Sequence, residues 1–137
     1  MVEIALLSPW IFFLFMAIFD FGFYAYALIS VENAARVAAI YTSSSPTAAG
    51  DSTGACVQAL EELRMLPNVS TNVMACTAAP VRVTATALAG PLCPEIVPTA
   101  LCTRVAVTYT GVQLFPLPGL TGQMTVTRVV EARVKPA

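Results

Sequence analysis

The chain of 137 residues has no histidine, and its charged residues make up 11% of the sequence where about 25% is usual. Without histidine it lacks the commonest general base and the commonest metal ligand. Its 7 Lys and Arg residues are scattered singly and form no basic patch for nucleic acid. No GxSxG motif accompanies its serines. We therefore expect neither an enzyme nor a nucleic-acid-binding protein, and we expect no metal or cofactor.

Apolar residues are abundant instead, at 57% of the chain with a mean hydropathy of +0.75. They are concentrated in an almost continuous apolar run from Ile4 to Ile29, which contains one acid, Asp20. This run is longer than the 7–15 apolar residues of a signal peptide, and it exceeds the roughly 20 residues that cross a bilayer. The sequence predicts a hydrophobic N-terminal helix over residues 1–45, followed by a head domain over residues 46–137.

Three residues of this segment call for an explanation. Glu3 is favoured at a helix start by the macrodipole, or it pairs with the amine of a neighbouring subunit in an apolar bundle. Asp20 lies at mid-depth of the apolar run, where an ionised carboxylate costs roughly 2.5–3.5 kcal/mol. It therefore faces a protein partner, lies near a membrane interface or carries a proton. Pro9 predicts a kink or local melting of the helix.

The second half of the segment, residues 25–41, has an amphipathic pattern. Small and apolar residues recur at a spacing of three or four along one side, and they are Leu28, Val31, Ala35 and Ala38. Glu32 and Arg36 form an i,i+4 pair on another side. We expect this half to cover the head while the first half stays bare, and we expect the helix to end at residues 43–46.

The head combines one helical pattern with strand patterns, which predicts an α+β fold. A helix is expected over Ala55–Leu66, where Pro67 stops it. Alternating apolar residues predict three strands, and these are Val81–Leu88, Thr103–Gly111 and Met124–Lys135. Val69–Met74 is a candidate fourth strand at the sheet edge, and Arg128 interrupts its strand's inward set as a β-bulge would. An antiparallel sheet of three to four strands, covered by helices on one side, accounts for the alternation.

Four cysteines all follow the apolar segment, at Cys56, Cys76, Cys93 and Cys102. Their spacings of 20, 17 and 9 residues match neither a CxxC pair nor a zinc site. An even number behind a membrane segment indicates two disulfides formed in an oxidising compartment, and buried free thiols are the alternative. Three connectivities are possible. We prefer Cys56–Cys76 with Cys93–Cys102, because the second pair would staple a hairpin loop.

Three motifs in the first 38 residues resemble the N-terminal signature of TadE-like pilins, which belong to the tight-adherence (Flp) branch of the type IV pilus family. They are Glu3-x-Ala5-Leu6-x-x-Pro9, Asp20-Phe21-Gly22, and Glu32-Asn33-Ala34-Ala35-Arg36-x-Ala38. A Val-x-Val-x-Tyr strand at residues 105–109, followed by a proline-rich turn and a Thr/Val-rich strand, is also similar to that family.

This resemblance implies a structural subunit that polymerises through its N-terminal helix into an extracellular filament for surface attachment. It implies that the subunit waits in the bacterial inner membrane, and that a prepilin peptidase and the pilus secretion machinery act on it. Glu3 matches the family's assembly glutamate, which is the fifth mature residue there. The assembly residues would be Glu3, Pro9, Asp20, Glu32 and Arg36. A minor pilin or a single-pass membrane-anchored extracytoplasmic binding domain is the alternative.

Overall fold

The computed structural model describes residues 2–70, 76–90, 93, 100–111 and 123–136. Its elements are two helices followed by four strands, which confirms the α+β class. In chain order they are α1 (Val2–Ser43), α2 (Ser52–Leu63), β1 (Thr77–Ala78), β2 (Val81–Ala89), β3 (Leu101–Thr110) and β4 (Thr125–Arg133).

Helix α1 is continuous over 42 residues, about 63 Å at 1.5 Å per residue. Pro9 lies inside it without interrupting it, so the predicted local melting is absent. The helix ends where hydroxyl groups begin to compete for backbone carbonyls. Thr42 Oγ1 donates to the Ala39 carbonyl at 3.2 Å, and Ser43 Oγ donates to the Ile40 carbonyl at 3.0 Å.

Helix α2 begins three residues earlier than predicted and ends three residues earlier. Asp51 starts it, because Asp51 Oδ1 accepts hydrogen bonds from the N–H groups of Thr53 and Gly54, both at 3.0 Å. An aspartate at this position satisfies donors that have no partner within the helix. After Leu63 the chain turns, and the N–H of Leu66 donates to the Leu63 carbonyl at 2.9 Å.

The four strands form one antiparallel sheet in the order β1-β2-β3-β4. The three strands predicted from alternation are confirmed with shifts of one or two residues at their ends. The predicted edge strand Val69–Met74 falls largely on residues 71–75, outside the described part of the chain. The edge strand beside β2 in the described part is the short β1.

Helices cover one face of the sheet, as the alternation predicted. The side chains facing the helices are buried on the two central strands, and they are Val81, Val83 and Ala85 on β2 with Val105, Val107 and Tyr109 on β3. Helix α1 contributes small buried residues to the same core, and they are Ala27, Val31, Ala34, Ala35, Ala38 and Ala39. Helix α2 adds Ala55 and Ala59 to this core. Small side chains let the helix backbones approach each other closely, because little volume separates them.

The bulge predicted at Arg128 is wrong. The β3–β4 register runs without interruption through Arg128, which lies opposite Val107. Arg128 therefore occupies an inward position, and its guanidinium lies beside Glu32 of α1, with Nε 3.9 Å from Oε2. A long side chain can keep its charge exposed while its aliphatic stem covers apolar surface.

Candidate functional site: an exposed apolar helix

The N-terminal half of α1 exposes large apolar side chains on all sides. Between Ile4 and Phe21 these side chains are 56–74% exposed, and they are Ile4, Leu6, Leu7, Trp10, Ile11, Phe12, Phe13, Leu14, Phe15, Ile18, Phe19 and Phe21. Soluble monomers rarely expose so large a contiguous apolar surface. This surface is therefore the candidate functional site.

Contact with the head begins at Tyr24, which packs against the core, and Ala27 is the first buried residue of α1. The stretch from Ile4 to Phe23, which we call the bare segment, has 20 residues and no buried side chain among those described. It is about 30 Å long, close to the thickness of the hydrocarbon core of a bilayer. Within the described residues, Leu6–Ser43 is the one helix long and apolar enough to cross a membrane, with a mean hydropathy of 1.9 in its apolar window.

Asp20 lies at the head end of the bare segment rather than at its middle. It is half-buried and stands one helical turn before Tyr24. Because the head covers α1 from Tyr24 onward, the part available to span a membrane is shorter than the apolar run. In a bilayer-spanning bare segment, this position would lie near the boundary between lipid and water. No hydrogen bond or ion pair of Asp20 exists within the described part of the chain.

Glu32 and Arg36 form the predicted pair, with Arg36 Nη2 2.6 Å from Glu32 Oε1. The structure adds Arg128 as a second cation beside Glu32. All three side chains are 44–65% exposed, so each pair contributes at most about 1 kcal/mol to stability. Sequence reasoning missed Arg128 because its contact depends on the alignment of β4 with α1.

The other predicted site residues divide into described and undescribed groups. The side chain of Glu3 lies outside the described residues, although its backbone belongs to α1. The structure contains two disulfides, Cys56–Cys76 and Cys93–Cys102, with Cα atoms 6.0 and 5.8 Å apart. These are the pairs that sequence reasoning preferred. Over the described ranges, no group of three or more His, Cys, Asp or Glu residues is arranged to hold a metal ion.

Sequence patterns did not predict a contact that joins the two helices. Tyr41 Oη of α1 donates to Asp51 Oδ2 at 2.9 Å, so Asp51 binds both helices at once. These hydrogen bonds lower the pKa of Asp51, that from the Gly54 N–H most strongly and that from Tyr41 next. The sequence did carry a signal for the capping role of Asp51, because an aspartate immediately before a helical segment is typical of an N-cap.

A helix long and apolar enough for membrane anchoring continues into a disulfide-bonded α+β head, an arrangement typical of single-helix anchored proteins. Residues 1–39 match the family model described as TadE-like protein. The N-terminal segment is therefore similar to that of TadE-like proteins, in agreement with the resemblance seen in the motifs. Together with the apolar helix, the match fits a membrane-anchored protein related to the tight-adherence pilus. No curated protein and no solved structure matches the chain.

Proposed function

We propose that this protein is a structural pilin subunit, which polymerises through α1 into an extracellular, type IV-like filament of the tight-adherence kind for surface attachment. The observation that carries the proposal is the bare segment, an apolar helix exposed on every side and continuous with the part of α1 that packs in the head. In this proposal the protein is not an enzyme and needs no cofactor.

The bare segment needs an apolar environment both before and after assembly. A bilayer supplies it to the single subunit, which places the subunit in the bacterial inner membrane at first. The α1 helices of neighbouring subunits supply it in a filament, where packing and exclusion of apolar surface from water drive association. A contact between different surfaces of identical subunits, repeated by a rotation that does not close, produces a helical polymer.

Individual residues then have distinct roles. Glu3 neutralises the N-terminal amine of a neighbouring subunit. Asp20 lacks a partner within the described part of its own subunit, and a carboxylate buried without one costs several kcal/mol. It therefore takes a polar partner on a staggered neighbour. Pro9 has no N–H to donate within α1, which leaves one carbonyl of the first turns available and lets the helix adjust locally.

Glu32 and Arg36 act at the level of the head. They already pair with each other on the exposed side of α1, so they present a mixed charge to a neighbour rather than one uncompensated charge. The polar face of the sheet points away from α1 and would form the filament exterior. The pilus secretion machinery and the prepilin peptidase are the expected processing partners.

The test is electron microscopy of sheared surface material from cells that express the protein, with mass spectrometry to identify the subunit. We expect filaments composed of this chain. Asp20→Asn and Glu3→Ala should abolish filaments or reduce them about tenfold, which corresponds to 1.4 kcal/mol per contact. Both variants should stay at normal levels in the membrane. Glu62→Gln, at an exposed acid of α2, is the matched control and should leave filaments unchanged.

A second function is favoured by the extent of the family match, which ends at residue 39 and leaves the head unmatched. A head with its own specificity suits a minor pilin or an anchored extracytoplasmic binding domain. Trace amounts of the chain in filaments of another subunit would indicate a minor pilin. Retention in the membrane without any filament would contradict the pilin proposal.

A further inference from the structure

We propose that the end of the head nearest the bare segment rests on the lipid surface while α1 is anchored, with Met65 and Met124 in contact with the bilayer. This lipid-facing end is defined by these two residues, which are 70% and 48% exposed. The proposal depends on membrane anchoring by α1 and does not depend on polymerisation.

The length of helix α2 gives a first estimate of the position along α1 at which the head begins. The two helices pack against each other as a hairpin, joined by the short loop of residues 44–51 and tied at one end by the Tyr41–Asp51 hydrogen bond. The 12 residues of α2 run about 18 Å back along α1, and Met65 lies in the turn that follows. The same distance measured along α1 from Tyr41 toward its N-terminus reaches Ile29.

Strand β4 gives a second, independent measure. The residues after the C-terminal end of β4 are bound to the C-terminal end of α1, where the Lys135 N–H donates to the Ser43 carbonyl at 2.9 Å. Nearer the N-terminus of both elements, Arg128 lies beside Glu32. These two contacts show that β4 and α1 run alongside each other. Met124 precedes Arg128 by four residues, about 13 Å further down, which is near the level of Phe23.

Hydrogen bonds connect the two methionine-bearing segments at this end of the head. The Met124 carbonyl accepts from the Gly111 N–H at 2.8 Å, and nearby Tyr109 Oη donates to the Pro67 carbonyl at 3.0 Å. Pro67 follows Met65 by two residues. Both methionines therefore lie toward one end of the head, at about the level of residues 23–29 of α1.

This level coincides with the membrane surface that the bare segment predicts. The segment's length of about 30 Å puts one hydrocarbon boundary just before Tyr24. Tyr24 and Tyr26 lie there, and tyrosine is enriched at the boundary between membrane and water. A single exposed methionine needs no explanation. Two unbranched, adaptable side chains at the level of a tyrosine pair are suited to contact with disordered lipid.

The test measures the depth of single labels on the full-length chain in lipid nanodiscs that hold one copy each. Met65→Cys and Met124→Cys carry a fluorophore, and Val57→Cys is the matched control. Val57 is another exposed apolar residue of α2, 45% exposed and eight residues nearer the top of the head. Fluorescence is quenched from the lipid by a nitroxide near the headgroup, and from water by iodide.

We expect the lipid nitroxide to quench the labels at 65 and 124 roughly threefold more than the label at 57, with iodide giving the reverse order. Equal quenching at all three positions would overturn the proposal, because the end of the head would then lie no nearer to the lipid than Val57 does. The two test sites are independent, so one variant that fails to fold leaves the other to decide. Circular dichroism and intact disulfides establish folding.

Discussion

Asp51 joins the two helices with a single carboxylate. One oxygen caps α2 and the other accepts the hydroxyl of Tyr41, so the residue fixes the direction in which the chain returns along α1. Replacing it should loosen the head without changing the bare segment. Asp51→Ala removes both functions, whereas Asp51→Asn keeps one oxygen to cap α2 but loses the charge and the second acceptor, and with it the hydrogen bond accepted from Tyr41.

We expect Asp51→Ala to lower the melting temperature of the head by about 5 °C in detergent, and Asp51→Asn to lower it by less. The pKa of Asp51 is lowered in the folded state by the N–H of Gly54 and then by Tyr41. Its stabilising effect is therefore present above the ordinary aspartate pKa near 4, and it is lost as the pH falls through the folded value. The advantage of the natural residue over asparagine should disappear at low pH. The same difference in melting temperature between the natural protein and Asp51→Asn at pH 7 and in acid would contradict this expectation.

Gly54 is the second residue whose role the structure makes testable. A Cβ at this position would overlap the phenol of Tyr41, whereas a Cβ at Gly22 meets nothing within 4 Å. Alanine normally stabilises a helix relative to glycine by about 1 kcal/mol. We expect Gly54→Ala to reverse that sign and lower the melting temperature, because Tyr41 must leave Asp51. Gly22→Ala is the matched control and should be neutral or stabilising in the isolated subunit.

The partner in this prediction is Tyr41, so a second substitution can isolate its effect. In a Tyr41→Ala background the clash is absent, and Gly54→Ala should then behave as an ordinary helix substitution. If Gly54→Ala destabilised both backgrounds equally, contact with Tyr41 would not be the cause.

At the scale of elements, the local pattern of apolar and polar residues was sufficient to predict a helix or strand wherever one face of that element is buried. The alternation in residues 81–88 and 103–111 predicted strands because inward and outward positions differ in polarity. The amphipathic residues 25–41 likewise predicted which half of α1 packs on the head. The pattern gave a wrong prediction at Arg128. A charged residue at an inward position suggests a β-bulge unless its partner on another element, here Glu32 of α1, is known. The pattern also missed the start of α2, where the cap residue carries the information.

The two disulfides tie different elements, and their removal should have unequal effects. Cys56–Cys76 joins α2 to the start of β1 across 20 residues, whereas Cys93–Cys102 closes a loop of 9 residues beside β3. Chain entropy predicts losses of about 3 and about 2.5 kcal/mol, respectively. Cys56 and Cys76 also lie in the main core, whereas Cys93 and Cys102 form a separate small cluster with Ala100.

We therefore expect the Cys56→Ala/Cys76→Ala double variant to be the less stable of the two double variants. Denaturant unfolding of both proteins in the same detergent would measure the difference. The reverse order would show that the loop at residues 93–102 supports the sheet more than its cluster indicates.

At the scale of the whole molecule, α1 serves two environments along one continuous helix. Its first half needs lipid or other helices, and its second half supplies the wall of the head core, with Val31, Ala35 and Ala38 fully buried. The head is consequently incomplete without residues 24–43. The boundary between the two environments falls inside the helix, near Tyr24, and no loop marks it.

Two truncations test where that boundary lies. A chain of residues 24–137 retains every described buried residue, so we expect a soluble monomer that unfolds cooperatively. A chain of residues 44–137 lacks the buried Val and Ala residues of α1 that line one side of the core. The apolar surface of the head that they cover would then be exposed to water, at a free-energy cost of about 25 cal/mol per Å². Because domains are stable by only about 5–15 kcal/mol, we expect this shorter chain to be unfolded or aggregated. Size-exclusion chromatography and circular dichroism would compare them. Cooperative unfolding of both chains at similar temperatures would mean that the head folds without α1, and the bare segment would then be an appendage rather than an extension of the core.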